Sequence, residues 1–223
     1  LKDIVMWSSL QILHKKKSKY HFKTIEDKYR QWSKLSIFEK TYNELLKKHT
    51  FKDIKSSTTL TLFIDSTNIV NKNGLELVVY GENKKKKICK VSAICDKDKN
   101  VYGILPFLGS ISDVKTVKET IKNVTDKLKS YRKINLCGDK GYIMKKEDKD
   151  SLLLDKIKLV TPSRKNQKVK TTKIAEKILK NRYTIEHVFQ SLKKYNRINI
   201  RRDRLTHTYM SFVYLALIIN FSL

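Results

Sequence analysis

The sequence is poor in the residues that staple, hinge or repeat a chain. Its three cysteines, Cys89, Cys95 and Cys137, are an odd number with no Cys-x-x-Cys pair, which excludes a disulfide framework and offers no zinc site. A reducing compartment suits such a chain. With two prolines and six glycines there is no Pro/Gly-rich linker, and no internal repeat is present. The opening residues, LKDIVMWSSLQILHKKK, have no signal-peptide layout and no initiator Met, as a fragment would show. The longest apolar run, Tyr209 to Leu223, is interrupted by Ser211 and Asn220 and is too short for a bilayer, so a buried core helix is expected and no membrane role.

Acid is scarce too. Against 22 Asp and Glu stand 49 Lys and Arg, a formal charge of +27. Such an excess attracts polyanions at long range, which makes nucleic acid the default partner, although codon usage favouring Lys, Asn and Ile would raise the charge without any function. The chain is accordingly expected to be intracellular and DNA-associated, in a prokaryotic cytoplasm or a nucleus or viral factory, and not secreted. At 223 residues, 40% of them hydrophobic, it has room for one domain with a real core and a small companion.

The character of the sequence changes near Ser56-Ser57-Thr58-Thr59, which divides a helical unit, residues 1–55, from a larger domain, residues 56–223. In the first part, helices are expected from about Asp3 to His14, from Thr24 to Trp32-Ser33, and from a Ser36-Ile37-Phe38-Glu39 capping box to about His49. Short helices joined by tight turns suit either a DNA-reading helix-turn-helix or an ordinary packing unit. The second part begins with strands at Leu60–Asp65, Ile88–Cys95 and Val101–Leu108. Val114, Val117, Ile121, Val124 and Leu128 then mark an amphipathic helix opened by Ser112 or Asp113. A strand at Ile134–Asp139, a helix from about Lys145 to Leu154, a strand at Ile157–Thr161 and a long helix from about Thr172 to Tyr195 complete a β-β-β-α-β-α-β-α order. That order implies an α/β fold, a mixed five-stranded sheet flanked by helices.

Two carboxylates, Asp65 and Asp139, stand at strand ends, where α/β sheets place ligands. A third, Glu186, lies on the last long helix, whose stripe of Ile174, Ile178, Ile185, Phe189 and Leu192 faces the core. Arg182, Glu186, Gln190 and Lys193 line the border of that stripe. Asp is disfavoured in strands and costly to bury, and gathered carboxylates repel one another in their charged forms. A divalent cation removes both penalties, and oxygen donors of this kind suit Mg²⁺ or Mn²⁺. An exposed i,i+4 ion pair is the plain alternative for Arg182 and Glu186.

Three segments carry a resemblance. Phe63-Ile64-Asp65-Ser66-Thr67 and Cys137-Gly138-Asp139-Lys140-Gly141-Tyr142 resemble the first- and second-Asp motifs of insertion-sequence DDE transposases. The segment from Arg182 to Lys193 resembles the helix signature Tyr-Arg-Glu-Lys of the insertion sequence 4/5-like group, with Leu179 at the Tyr position. The resemblance extends to Lys84, Lys85, Lys86 and Lys87, to Gly109-Ser110-Ile111-Ser112-Asp113, and to Tyr29-Arg30-Gln31-Trp32 with Phe38, and so covers nearly the whole chain. It implies a ribonuclease H-like core and metal-dependent cleavage and strand transfer at the ends of an insertion sequence, with Asp65, Asp139 and Glu186 holding two Mg²⁺ or Mn²⁺ ions. It also implies double-stranded DNA, as element ends and as target, for a partner, and a homo-oligomer on that DNA.

Arg182, Lys193, Lys140 and the Lys84 to Lys87 run are then candidates for contact with DNA, with Lys140 equally suited to a turn. Asp113 is either an accessory carboxylate or a helix N-cap, Thr67 either orients Asp65 or is a β-branched strand residue, and Tyr142 either holds phosphate or serves the turn. His187 points about 100° from Glu186 on an ideal helix, outside the cluster. Two other functions fit the same residues: an inactive or domesticated transposase-derived DNA-binding protein, and a ribonuclease H-like nuclease without strand transfer.

Overall fold

A computed structural model describes residues 21–50, 58–81, 86–163 and 171–221. Two helices come first, α1 (Phe22–Lys34) and α2 (Ile37–Thr50). The expected helix at Asp3–His14, the division near residue 56, and Lys84 and Lys85 lie outside the described residues. Ser36, at φ 53°, does not take the extended cap conformation, and Glu39 instead accepts a hydrogen bond from Tyr214 Oη at 3.0 Å, so the capping box is not formed.

Then follow β1 (Thr59–Asn71), β2 (Val79–Gly81), β3 (Lys86–Cys95), β4 (Val101–Leu108), α3 (Asp113–Leu128), β5 (Lys133–Cys137), α4 (Lys146–Leu154) and β6 (Ile157–Val160). The chain closes with α5 (Lys173–Leu179), a 3₁₀ turn (Lys180–Arg182), α6 (Tyr183–Lys193), α7 (Asn196–Asn199), β7 (Ile200–Arg201) and α8 (Thr206–Phe221). Seven strands make one mixed sheet in five lanes. Antiparallel β3 and β4 lie on one side of β1, and parallel β5 and β6 on the other. The two strands not expected from sequence are the shortest: β2 extends the β4 lane along β3, and β7 extends the β5 lane along β1. Two or three residues are too few for a period-two pattern to register.

Alternation along β1 separates two cores. Leu62 and Ile64 face one with α3, where Val117, Ile121 and Val124 are buried as their spacing requires. Phe63 and Ile69 face the other, with Ile185, Phe189 and Leu192 of α6 and Phe212 and Leu215 of α8. Helix α8 is the buried helix expected from the last apolar run. No described helix is long and apolar enough to cross a membrane. Tyr29, Phe38, Tyr42 and Leu46 of α1 and α2 belong to this second core. Tyr29 Oη donates to Thr208 O at 2.7 Å, Val101 N donates to Tyr42 Oη at 3.0 Å, and Lys127 Nζ donates to Asn43 Oδ1 at 2.8 Å. These two helices are therefore fastened to the sheet domain by buried rings and by bonds to three of its elements.

Candidate active site

Asp65 sits in the middle of β1, not at its end. The strand runs on to Asn71, but its two neighbours on one edge part company: β5 pairs as far as Phe63↔Cys137, and β7 begins only at Val70↔Ile200. Between them a stretch of β1 has no strand on that edge, and the three sequence motifs meet around it. The Asp65 carboxylate is 22% exposed, accepts from its neighbour's amide, Ser66 N, at 2.9 Å, and lies 3.8 Å from Arg182 Nη1. Burial pushes its pKa up to about 6; Ser66 N and the Arg182 cation oppose the rise, and the negative charges of Asp139 and Glu186 add to it.

The helix expected to run unbroken from Thr172 to Tyr195 is broken by the 3₁₀ turn at Lys180–Arg182. Three residues per turn in place of 3.6 rotates α5 against α6, so a stripe extrapolated from one does not continue on the other. Ile185, Phe189 and Leu192 are buried and Ile178 packs against the core, while Ile174 is 76% exposed. Leu179, at the Tyr position of the signature, also packs against the core. The turn carries Arg182 to Asp65 and lets its Nη2 donate to Glu186 Oε1 at 2.5 Å. Lys193, on the same flank, donates to Thr67 Oγ1, while His187 is exposed and stacks edge-on with Tyr183.

Asp139 leaves β5 two residues past its last pair and caps the 3₁₀ turn Lys140–Tyr142, its Oδ1 accepting from Gly141 N at 2.7 Å. Both glycines of this motif are sites of close approach. A Cβ on Gly138 would lie 2.8 Å from the Tyr142 ring, and one on Gly141 would lie 2.9 Å from Asp139 Oδ1 and 3.4 Å from Asp113 Oδ2. Asp113 thus stands across Gly141 from Asp139. Ser112 occupies the α3 cap position without a side-chain bond, and Asp113 accepts instead from Ser66 Oγ and, at 2.9 Å, from Lys90 Nζ. Tyr142 is fully buried beneath the charges of Asp65, Asp113 and Asp139, whereas Lys140 is exposed beside them. Lys86 and Lys87 are exposed at the start of β3, seven and six residues from Ala93, the partner of Asp65, and so lie away from this cluster.

Sequence reasoning missed two polar partners. Lys90 carries its ammonium, 11% exposed, out of the largely buried part of β3 to Asp113 and Ile111 O, and a lysine amid Ile88, Cys89, Val91 and Ala93 was the available signal. Ser66 lies one residue past the expected strand end at Asp65, and the continuation of β1 through it turns its hydroxyl to Asp113. As the side chains stand, no three His, Cys, Asp or Glu among the described residues form a ready metal cage. Glu186 is turned to Arg182 and Asp139 to Gly141.

Residues 56–221 match a family described as the transposase DDE domain. The chain belongs to this DDE transposase family. Similar solved structures include a piggyBac transposase synaptic complex with hairpin DNA, at 22% identity and TM-score 0.37 over 49% of this chain and 24% of that one. Others are a Mos1 transposase paired-end complex with the left transposon end, at 12% identity and TM-score 0.34 over 72% and 58%, and a Mos1 strand transfer complex, at 13% and 0.35 over 87% and 60%. This DDE chain thus spans less than two thirds of each of those proteins. Comparison with curated proteins gives no match.

Proposed function

We propose that this DDE domain is the catalytic part of a transposase that cuts DNA at the ends of an insertion sequence and joins them to a target, with Asp65, Asp139 and Glu186 as its metal-binding carboxylates. The observation that carries the reading is the meeting of all three motifs at the open edge of β1, where the charges of Asp139 and Glu186 act on a half-buried Asp65. The donor set fits Mg²⁺ or Mn²⁺: hard carboxylate oxygens, one of them penalised by burial and by like charges, a cost that a cation reverses. To ligate, Glu186 has to leave Arg182 and Asp139 has to leave Gly141, each a side-chain rotation with the backbone in place. A pair of such ions supplies activation of the attacking oxygen and charge stabilisation of the leaving oxygen.

The chain's own residues then position and neutralise. Arg182, released from Glu186, offers a guanidinium to a non-bridging phosphate oxygen beside Asp65. Lys193 and Lys140 flank the same edge and hold adjacent phosphates as point charges. Lys90 and Ser66 fix Asp113, which stands across Gly141 from Asp139 as a further carboxylate beside the centre. Double-stranded DNA as partner, a homo-oligomer that pairs two element ends, and an intracellular, DNA-associated setting follow from this reading.

The test is cleavage of end-labelled duplexes carrying the sequences that flank the gene, with Mg²⁺, Mn²⁺ or EDTA. Metal-dependent nicking followed by joining to a second duplex is expected. Cutting without joining would favour a ribonuclease H-like nuclease, and binding that ignores Mg²⁺ and yields no product would favour a DNA-binding remnant. Either result would overturn the transposase reading.

A further inference from the structure

Beyond the end of β1 lies a second concentration of positive charge that the carboxylate site does not use. A cleft of about 710 Å³ opens between α1 and the turn that joins β7 to α8. Arg30 and Lys34 line it from α1, Arg202 and Arg204 from the turn, and His207 from the first turn of α8. Of its acids, Glu26 pairs with Arg30 at 2.5 Å and Asp203 Oδ1 with Arg197 at 2.6 Å, while Asp203 Oδ2 is buried with no hydrogen-bond partner among the described residues. Lys34, Arg202 and Arg204 form no ion pair among the described residues. Arg202 goes further, its Nη1 buried with no hydrogen-bond partner among them. A cationic donor left in this state is satisfied when an oxygen anion reaches it.

The wall that presents these cations is fixed before any ligand arrives. Arg201 is fully buried, and its guanidinium donates to Asp203 O at 3.1 Å, Glu76 O at 2.9 Å, Arg204 O at 3.2 Å and Thr206 Oγ1 at 3.2 Å. One charged group thus clamps the turn and the loop after β1 together. Gly74 lies in that loop because a Cβ there would come within 2.5 Å of Arg201 Nε. Asn71 bonds Gly74 through both its amide oxygen and its amide nitrogen, at 3.0 Å each, which ties the cleft to the end of β1.

The cleft is on the face that carries Asp65. Odd-numbered residues of β1 point to one side, and among them Phe63 and Ile69 share a core with Tyr29 and Phe212, both of which line the cleft. Six residues of strand separate Asp65 from Asn71, roughly 20 Å at the usual rise. Duplex DNA covers that length in about six base pairs.

We propose that this cleft binds the phosphate backbone of duplex DNA on the flank of the bond addressed at Asp65, so that one duplex spans both places. The proposal rests on the carboxylate cluster being where DNA reacts. Its ligand is recognised by oxygen anions spaced along a strand, met by the cations of a turn that Arg201 holds rigid. No base is read there, so the contribution is to affinity and register and is the same for every sequence.

The experiment measures binding of the whole chain to a duplex of about 30 base pairs by fluorescence anisotropy in EDTA, across a salt series. One variant combines Lys34→Gln, Arg202→Gln and Arg204→Gln. A control removes equal charge from exposed positions elsewhere, Lys48→Gln, Lys97→Gln and Lys122→Gln. The cleft variant should lower the salt slope by about 2.7 and weaken binding by 10- to 100-fold near physiological salt, on the order of 0.9 in slope for each phosphate no longer neutralised, and the control by less than a third of that. Thermal melting shows whether each variant is folded, and Arg204→Gln alone, an exposed change, should lower the slope by about 0.9 should the triple variant fail to fold. Equal effects of the two sets, or no effect of the cleft set, would overturn the proposal and leave the carboxylate reading standing. Because this readout needs neither metal nor cleavage, failure of the carboxylate reading appears separately, as absence of Mg²⁺-dependent product from a chain that still binds through the cleft.

Discussion

Replacing Asp65 with Asn should stabilise the metal-free protein while abolishing its response to Mg²⁺. Burial and two neighbouring carboxylates raise the Asp65 pKa from the ordinary 3.8 to about 6. Within that window the folded chain holds a proton that the unfolded chain has already lost, so stability falls as pH rises from about 4 to 6 and stays low above it. A shift of this size corresponds to about 3 kcal/mol; with the side chain 22% exposed to screening solvent, about 2 kcal/mol is a fair expectation. For a chain of this length that is roughly 4–8 °C in Tm. Asp65→Asn removes the penalty, so its Tm should exceed that of the wild type by this amount at pH 7.5 and by little at pH 4. The difference between the two melting profiles isolates Asp65 from every other ionisation. At about 10 mM, Mg²⁺ should raise the wild-type Tm by a similar margin if its Kd is about 0.1–1 mM, and should leave Asp65→Asn unmoved. Differential scanning fluorimetry at several pH values, with and without Mg²⁺, reads both effects in both proteins. An Asp65→Asn protein that melts below the wild type at pH 7.5 would contradict the burial penalty on Asp65, and one that keeps the Mg²⁺ shift would contradict its role as a metal ligand.

Asp139→Asn should keep or slightly raise DNA affinity in gel shifts and lower Mg²⁺-dependent cleavage by orders of magnitude, since a neutral amide is a poor ligand for a hard cation. Removing Arg182 takes away the cation that holds the Asp65 pKa down, so in the metal-free protein Arg182→Ala should move the pH range over which Tm falls upward from about 4–6; an unmoved range would separate Arg182 from Asp65. Gly138→Ala forces a Cβ to 2.8 Å from the Tyr142 ring and should cost about 1–3 kcal/mol, measured by urea denaturation. Changing Lys84, Lys85, Lys86 and Lys87 together to Ala should weaken duplex binding and lower its salt slope by up to about 0.9 for each phosphate those lysines neutralise, leaving the Mg²⁺ response of the melting temperature intact.

Periodicity reads most of the fold because most of its elements bury one face. Helix α3 shows its buried Val117, Ile121, Val124 and Leu128 at the spacings that announce it. What periodicity cannot see is a change of pitch. Neither proline nor glycine marks Lys180–Arg182, yet the 3₁₀ turn there takes Ile174 off the stripe and brings Arg182 to Asp65. Asp65 is recognisable as a buried carboxylate but not as a mid-strand one, because a strand carries no sign of where its neighbours leave it. The tertiary partners of polar residues are the least legible: Glu39 meets Tyr214 where the spacing predicts a local cap, and Lys90 and Ser66 meet Asp113. Each pairing joins residues dozens of positions apart, outside the reach of any spacing rule.

The open edge of β1 explains why charge can be concentrated there at all. A carboxylate inside a fully paired central strand would be flanked by backbone on both sides and covered by helices, with no room for a counterion. Here β5 stops at Cys137 and β7 starts at Ile200, so several residues of β1 meet side chains on that edge, Arg182 and Lys193 among them. The strand is held by β3 on its other edge from Phe63 to Val70, so Asp65 keeps its place while the groups opposite it are free to rotate. Rigidity on one side and exchangeable partners on the other are the two conditions a carboxylate needs to trade an arginine for a metal ion. Among the three carboxylates only Asp65 lies on a paired strand. Asp139 and Glu186, on a turn and on the first turn of a helix, carry the motion by which a cation would be admitted.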